Sequence, residues 1–478
     1  MKIKNNIVSL IKNFFYVIFS NAITVVVSIL VVLIVPKYIG VSNYGYWQLY
    51  ILFTSFVGFL HFGWNDGLYL RLGGSDYKDI DKALYYSQFY LLVFTQLFIA
   101  ALGLIAIVVF SFEEEKEYLL YMTAICMFVV NVRYMLLFLL QATYRIKAYS
   151  FITISDRVIY LFLIALLLFF GADNFKYFIW ADITGKLISL IVACICCRDF
   201  VFKFKSNFYF RLAVKEIIEN IRVGIKLMFS NVASKLVIGN VRFGIESAWS
   251  VVIFGKVSLM LSVTGFVMIF INSISLVLFP FLRKVKESNL DIIYVSIRQV
   301  LTLFLLVVLI TYYPVSMGLK LWLPDYKDAL KYLLVIYPII IFEGKMALLV
   351  NTYLKVLRKE NTLLKINIFS LILSFATTYV SISILRDLNL AVYSILFLIA
   401  VRVIAAELYL QKVMNIKLRV EILIELLFVI VFVVTNALFD AEIGFVFYCI
   451  SLAVYLVLNK KSLFDTYIVV KDNVLHKV

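Results

Sequence analysis

Six cationic side chains stand inside long apolar runs of this 478-residue chain: Arg133, Lys186, Lys235, Lys256, Lys345 and Arg402. At the centre of a membrane-spanning helix each costs roughly 2.5–3.5 kcal/mol on an insertion scale, so lipid is the wrong surrounding for all of them. Two surroundings suit them: an ion pair inside a helix bundle, or a water-filled cavity that receives an anion. In a cavity, Lys and Arg would grip phosphate through charge-assisted hydrogen bonds. Asp182 lies four residues before Lys186 on the same helical face, which makes this couple a candidate ion pair. Arg402 has Glu407 close in sequence and Lys345 has Glu343, whereas Arg133 has no acid in its own helix and Lys235 none nearer than Glu246.

Polar spacing adds to the pattern. At 100° per residue, Asn231, Lys235, Arg242 and Glu246 fall within an arc of about 60°, a stripe that suits a wet cavity or another polar helix. Asn21, Thr24 and Ser28 form a milder stripe, in which the small hydroxyls also serve as ordinary packing contacts. In HFGWNDGLYLRLGG (61 to 74), Gly73 and Gly74 read as helix termination. Asn65 and Asp66 fall a turn or two before Arg71, at a depth where polar groups need a cavity or a partner. Facing a cavity they would serve a gate or ion coupling; facing Arg71 or a neighbouring helix they would be a structural clamp.

Catalytic chemistry finds little support. The histidines are His61 and His476, and there is no HExxH, no GxSxG elbow and no cluster of metal ligands. Cys194, Cys196 and Cys197 lack a second Cys or His group, so neither a metal nor another cofactor is expected. The outer loops are too short for a membrane glycosyltransferase or polymerase to hold a sugar acceptor against catalytic carboxylates.

The elements that must position these groups are transmembrane helices. Hydrophobic residues make up 64% of the chain and charged residues 15%, against about half and about a quarter in soluble domains. A span needs roughly 20 mainly apolar residues, and about fourteen segments qualify. They are 14 to 35, 44 to 70, 83 to 110, 118 to 141, 150 to 170, 175 to 197, 223 to 241, 248 to 280, 291 to 313, 330 to 354, 364 to 385, 390 to 410, 420 to 439 and 441 to 458. The seventh is the weakest, because Lys235 and Arg242 lower its hydropathy, and the last two read as a separable addition to a core of twelve. The first run exceeds a signal peptide's apolar core and reads as a retained helix.

With the N-terminus inside, inner segments carry about 31 Lys and Arg and outer loops about 8, so the net charge of +16 is the positive-inside signature. No nucleic-acid partner is expected, and both termini are placed in the cytoplasm. The inner loop 198 to 222 alternates aromatics with Lys203, Lys205 and Arg211, as a segment lying on an anionic leaflet would. FSNAIT (19 to 24) in the first helix matches FSNVAS (229 to 234) in the seventh, which suggests duplicated six-helix units. The expected organisation is an N-terminal lobe 1 to 197, a basic linker 198 to 222, a C-terminal lobe 223 to 411, and two extra helices with a tail, 412 to 478.

The first 75 residues carry a family resemblance. VPKYIGVSNYGYWQLY (35 to 50), with Pro36, Gly40, Tyr44 and Gly45, followed by GWNDGLYLR (63 to 71), resembles the opening of the Wzx-type polysaccharide (O-antigen) flippases of the multidrug/oligosaccharidyl-lipid/polysaccharide (MOP) exporter superfamily. The resemblance implies an all-α integral membrane fold with two six-helix lobes around a central cavity, and helices 13 and 14 flanking a lateral groove. It implies transport rather than catalysis: undecaprenyl-pyrophosphate-linked sugar repeat units would move from the inner to the outer leaflet of a bacterial cytoplasmic (inner) membrane by alternating access. The implied partners are that lipid-linked oligosaccharide, membrane lipids and other polysaccharide-assembly membrane proteins. Within this expectation Arg133, Lys235, Lys256 and Arg242 hold the diphosphate, Asn21, Asn65 and Asn231 the sugars, and Asp66 with Arg71 the gate or ion coupling. The alternatives are a drug or cation antiporter of the same superfamily and a membrane-embedded polymerase or acyltransferase.

Overall fold

The computed structural model describes residues 2–202, 208–283, 285, 289–416 and 418–460, the first of these up to residue 18 by backbone alone. Contacts divide the chain into two compact units, Met1–Val232 and Ala233–Val478. The first contains α1 (Lys2–Val57), α2 (Trp64–Leu72), α3 (Lys82–Phe110), α4 (Glu114–Ala142), α5 (Ile146–Phe169), α6 (Phe175–Cys196), α7 (Arg198–Val201) and the first part of α8 (Phe210–Ala248). The second contains the rest of α8, then α9 (Val251–Leu282), α10 (Leu290–Leu309), α11 (Tyr312–Trp322), α12 (Leu330–Ile336), α13 (Ile339–Lys345), α14 (Asn351–Val356), α15 (Glu360–Thr378), α16 (Leu388–Met414), α17 (Arg419–Leu438) and α18 (Ala441–Leu458). No strand occurs among the described residues.

Among the described residues 11 helices are long and apolar enough to cross a membrane, or up to 12 with the bent pair Pro324–Ile336 and Ile339–Val356 taken as one span. The difference from fourteen has three physical sources. The first expected span runs into the second through α1, which bends at Gly40, where φ is 72° in the left-handed region open to glycine. The seventh is part of the 39-residue α8, whose charges lower its hydropathy. The tenth is broken by 47° near Pro338, which cannot donate a helical hydrogen bond. The expected linker is also partly helical, since α7 and the start of α8 fall within it. Lys203 and Lys205 lie outside the described residues, as does His476; Phe208, Tyr209, Phe210 and Leu212 are exposed.

In the first unit α4 is the most deeply buried span and packs against α1, α2, α3 and α6. Trp64, Leu68, Tyr85, Phe89, Leu136, Leu140 and Phe200 share one core, and the Tyr85 hydroxyl donates to the Met135 carbonyl at 3.0 Å. α3 turns Phe94, Phe98, Ile105 and Val109 outward, the apolar face a lipid-contacting helix needs. In the second unit α17 and α18 are fastened to α10 and α11. The Tyr448 hydroxyl donates to the Leu306 carbonyl at 2.8 Å, Asn436 Nδ2 to the Tyr313 hydroxyl at 3.0 Å, and Phe432 lies edge-on to Tyr312 and Tyr448.

Candidate functional site

Spans of the first unit bring charges together at mid-helix. Arg133 Nη1 donates to Asp156 Oδ2 at 2.7 Å and to Ser189 Oγ at 3.1 Å. All three side chains are buried. Lys186 pairs with Asp182 one turn before it, and the Tyr50 hydroxyl donates to the same Asp182 oxygen at 2.8 Å. α5 and α6 approach closely because residue 185 is glycine: a Cβ there would stand 3.1 Å from the Asp156 carbonyl oxygen. Arg157 is the third cation of this cluster, near enough to Asp156, Lys186 and Tyr160 to interact with each electrostatically. Sequence reasoning missed it, although the search for charges inside apolar runs would have found it in the fifth span. Arg133 in turn has its carboxylate on the next helix, 23 residues away, which no scan along one helix reveals.

The second unit holds a larger network. Lys345 Nζ donates to Glu407 Oε2 at 2.7 Å and pairs with Glu425. Arg298 Nε donates to Glu407 Oε1 at 3.0 Å, its Nη2 lies 2.8 Å from Glu425 Oε1, and Thr302 donates to that oxygen at 3.1 Å. None of the four charged side chains is more than 3% exposed. Arg402 pairs with Glu343 and donates to Ser234 Oγ at 2.9 Å. The partners are thus exchanged relative to sequence proximity, Lys345 taking Glu407 and Arg402 taking Glu343, because α13 and α16 face each other. Arg298 and Glu425 were also absent from the sequence-derived set; each stands inside an expected span, the ninth and the thirteenth.

The stretch from His61 to Gly74 proves to be a helix crossing. A Cβ at Gly67 would fall 1.7 Å from the Asn220 carbonyl oxygen, and one at Gly224 would fall 2.0 Å from the Gly63 carbonyl oxygen, so α2 and α8 touch backbone to backbone. Asn65 is fully buried and donates to the Asn131 carbonyl at 3.1 Å; Asn131 Nδ2 donates to the Val57 carbonyl at 3.0 Å and to Gln96 Oε1 at 2.8 Å. This places Asn65 against α4, held there as a clamp would be. Asp66 Oδ2 lies 3.6 Å from His61 Nε2. Arg71 turns to α8, pairing with Glu216 at 2.7 Å and donating to Asn220 Oδ1 at 2.7 Å. These contacts border a cavity of about 290 Å³ that Asp79, Asp81 and Gln88 also line.

The remaining expected ligands are spread over both units. Asn21, on α1, is half-buried; Asn231 and Lys235, on α8, are exposed. Arg242 donates to Ser258 Oγ at 3.0 Å with its guanidinium 5.3 Å from the Phe254 ring centre, and Lys256 lies 3.5 Å from the exposed Asp328. Cys197 is buried, and Cys194 and Cys196 are half-buried. Among the described residues no group of three or more His, Cys, Asp or Glu could hold a metal.

Kinked apolar helices in two units, with ion pairs buried among the helices of each, define a multi-pass membrane protein with the fold of MOP-superfamily transporters. No protein-family model matches the sequence, and no curated protein matches it. Among solved structures, the inward-facing form of a multidrug resistance MATE family transporter of the MOP superfamily shares 12% identity at a TM-score of 0.60, over 82% of this chain and 94% of that one. The lipid II flippase MurJ, in an inward closed conformation, shares 12% identity at a TM-score of 0.57, over 96% of this chain and 100% of that one. A MOP superfamily transporter from Pyrococcus furiosus shares 12% identity at a TM-score of 0.51, over 85% and 95% of the two chains. At such identities the likeness is one of fold.

Proposed function

We propose that this protein is a lipid flippase that carries sugar repeat units linked to undecaprenyl pyrophosphate from the inner to the outer leaflet of a bacterial cytoplasmic membrane, by alternating access and with both termini in the cytoplasm. The supporting observation is an excess of cations over carboxylates at membrane depth. In the first unit Arg133, Arg157 and Lys186 stand against Asp156 and Asp182; in the second, Lys235, Arg242, Lys256, Arg298, Lys345 and Arg402 stand against Glu246, Asp328, Glu343, Glu407 and Glu425. An anionic cargo compensates such an excess, whereas a cationic drug would add to it. The likeness to a lipid II flippase supports a lipid-linked cargo. Lys235, Lys256 and Arg242 are the assigned diphosphate contacts and Asn21 and Asn231 the sugar contacts. Arg133, committed to Asp156, serves in this reading to position α5.

The test is reconstitution in vesicles with a fluorescent lipid-linked oligosaccharide, scored by accessibility in the outer leaflet. Lys235→Ala combined with Lys256→Ala is expected to slow flipping about tenfold, the worth of a lost charge-assisted contact. A rate equal to that of the unaltered protein at matched protein level would sink the assignment, and efflux of a cationic drug without flipping would replace it with an antiporter.

A further inference from the structure

Arg157 sits at the middle of α5, about 11 residues from either end, which is roughly 17 Å of helix and beyond the reach of its side chain to either membrane surface. Around the helix it lies about 120° from the exposed stripe of Phe151, Val158 and Phe162, so it does not face lipid. It is half-buried, and among the described residues it makes neither a hydrogen bond nor an ion pair. The carboxylates that could answer it are already engaged: Asp156 by Arg133, Asp182 by both Lys186 and Tyr50. Lys186 also sits at the middle of its helix, is only partly buried, and interacts electrostatically with Arg157. A cation held at this depth costs stability, and Asp156, which attracts it but is hydrogen-bonded by Arg133, repays only part of that cost.

We propose that Arg157, with Lys186 beside it, forms a mid-membrane anion site of the first unit that takes a diphosphate group. Arg157 offers the planar donors that phosphate oxygens accept, and Lys186 can share its ammonium between Asp182 and the incoming anion. The site would be a second phosphate contact for the cargo, separate from the α8 and α9 cations, and it rests on the reading of the protein as a lipid diphosphate carrier.

The experiment compares the full-length protein with Arg157→Gln and Arg157→Lys in lipid nanodiscs, using farnesyl diphosphate and inorganic pyrophosphate as probes, and reads binding and thermal stability separately. Arg157→Gln should weaken farnesyl diphosphate binding about tenfold, and Arg157→Lys by less than about threefold, because the charge remains. Without ligand, Arg157→Gln should melt no lower than the unaltered protein, since it strands no carboxylate; a fall in melting temperature would mark Arg157 as structural and overturn the site. Inorganic pyrophosphate binding with the same dependence on Arg157 would support the site as one for the free anion as well as the lipid. If the unaltered protein binds farnesyl diphosphate and the Gln variant binds it equally, the site is overturned and the flippase reading stands. If the unaltered protein neither binds a diphosphate nor flips the lipid-linked oligosaccharide, the flippase reading falls and the site with it.

Discussion

At the scale of single residues, what separates the intramembrane charges is whether a partner meets them. Arg133 and Asp156 are both buried, and each is the other's counter-charge. Removing one member of such a pair strands the other in a medium that cannot solvate it, at a cost of about 3–5 kcal/mol. Arg133→Gln should therefore lower the melting temperature sharply in detergent, and adding Asp156→Asn should restore most of the loss; an Arg133→Gln protein that melts normally would show the pair to be dispensable. The presence of each of these charges was legible in the sequence, because a charge in an apolar run is conspicuous. Their pairing was legible where both partners share one helical face, as in Asp182 and Lys186, and illegible for Arg133 and Asp156 or Lys345 and Glu407, which belong to different helices.

At the scale of elements, glycines and one carboxylate decide which helices hold together. Gly63, Gly67 and Gly224 let α2 and α8 meet at backbone distance, and Arg71, Glu216 and Asn220 add a polar clasp beside them. In sequence these glycines resemble loop punctuation, since nothing local says that another helix will press against them. Gly67→Ala should destabilise the protein by about 1–3 kcal/mol or more, the cost of overpacking. Gly103→Ala, where a Cβ meets nothing within 4 Å, should be neutral or stabilising by about 0.5–1 kcal/mol. Melting curves of the two variants check this, and equal losses would rule out a crossing that depends on glycine. Glu425 plays the matching part in the second unit, where its contacts with Arg298, Thr302 and Lys345 make α17 part of the network.

At the scale of the whole molecule, the distribution of Lys and Arg predicts orientation. In a background without native cysteines, Glu113→Cys should react with a membrane-impermeant maleimide added to intact cells, and Lys78→Cys only after permeabilisation. The reverse pattern would invert the assigned topology. Composition, hydropathy and the Lys and Arg asymmetry determined by themselves that the chain is a polytopic helical membrane protein with charges that need an interior, because the energy of placing a side chain in lipid or water depends on the residue and its depth. Tertiary structure alone decided that Asn65 clamps α4, that Lys345 and Arg402 exchange the partners their sequence neighbours suggest, and that Arg157 is a cation without a hydrogen-bond or ion-pair partner among the described residues. The reason is physical: a Coulomb energy or hydrogen bond depends on distances between helices, and those distances are set by packing contacts that local sequence does not record.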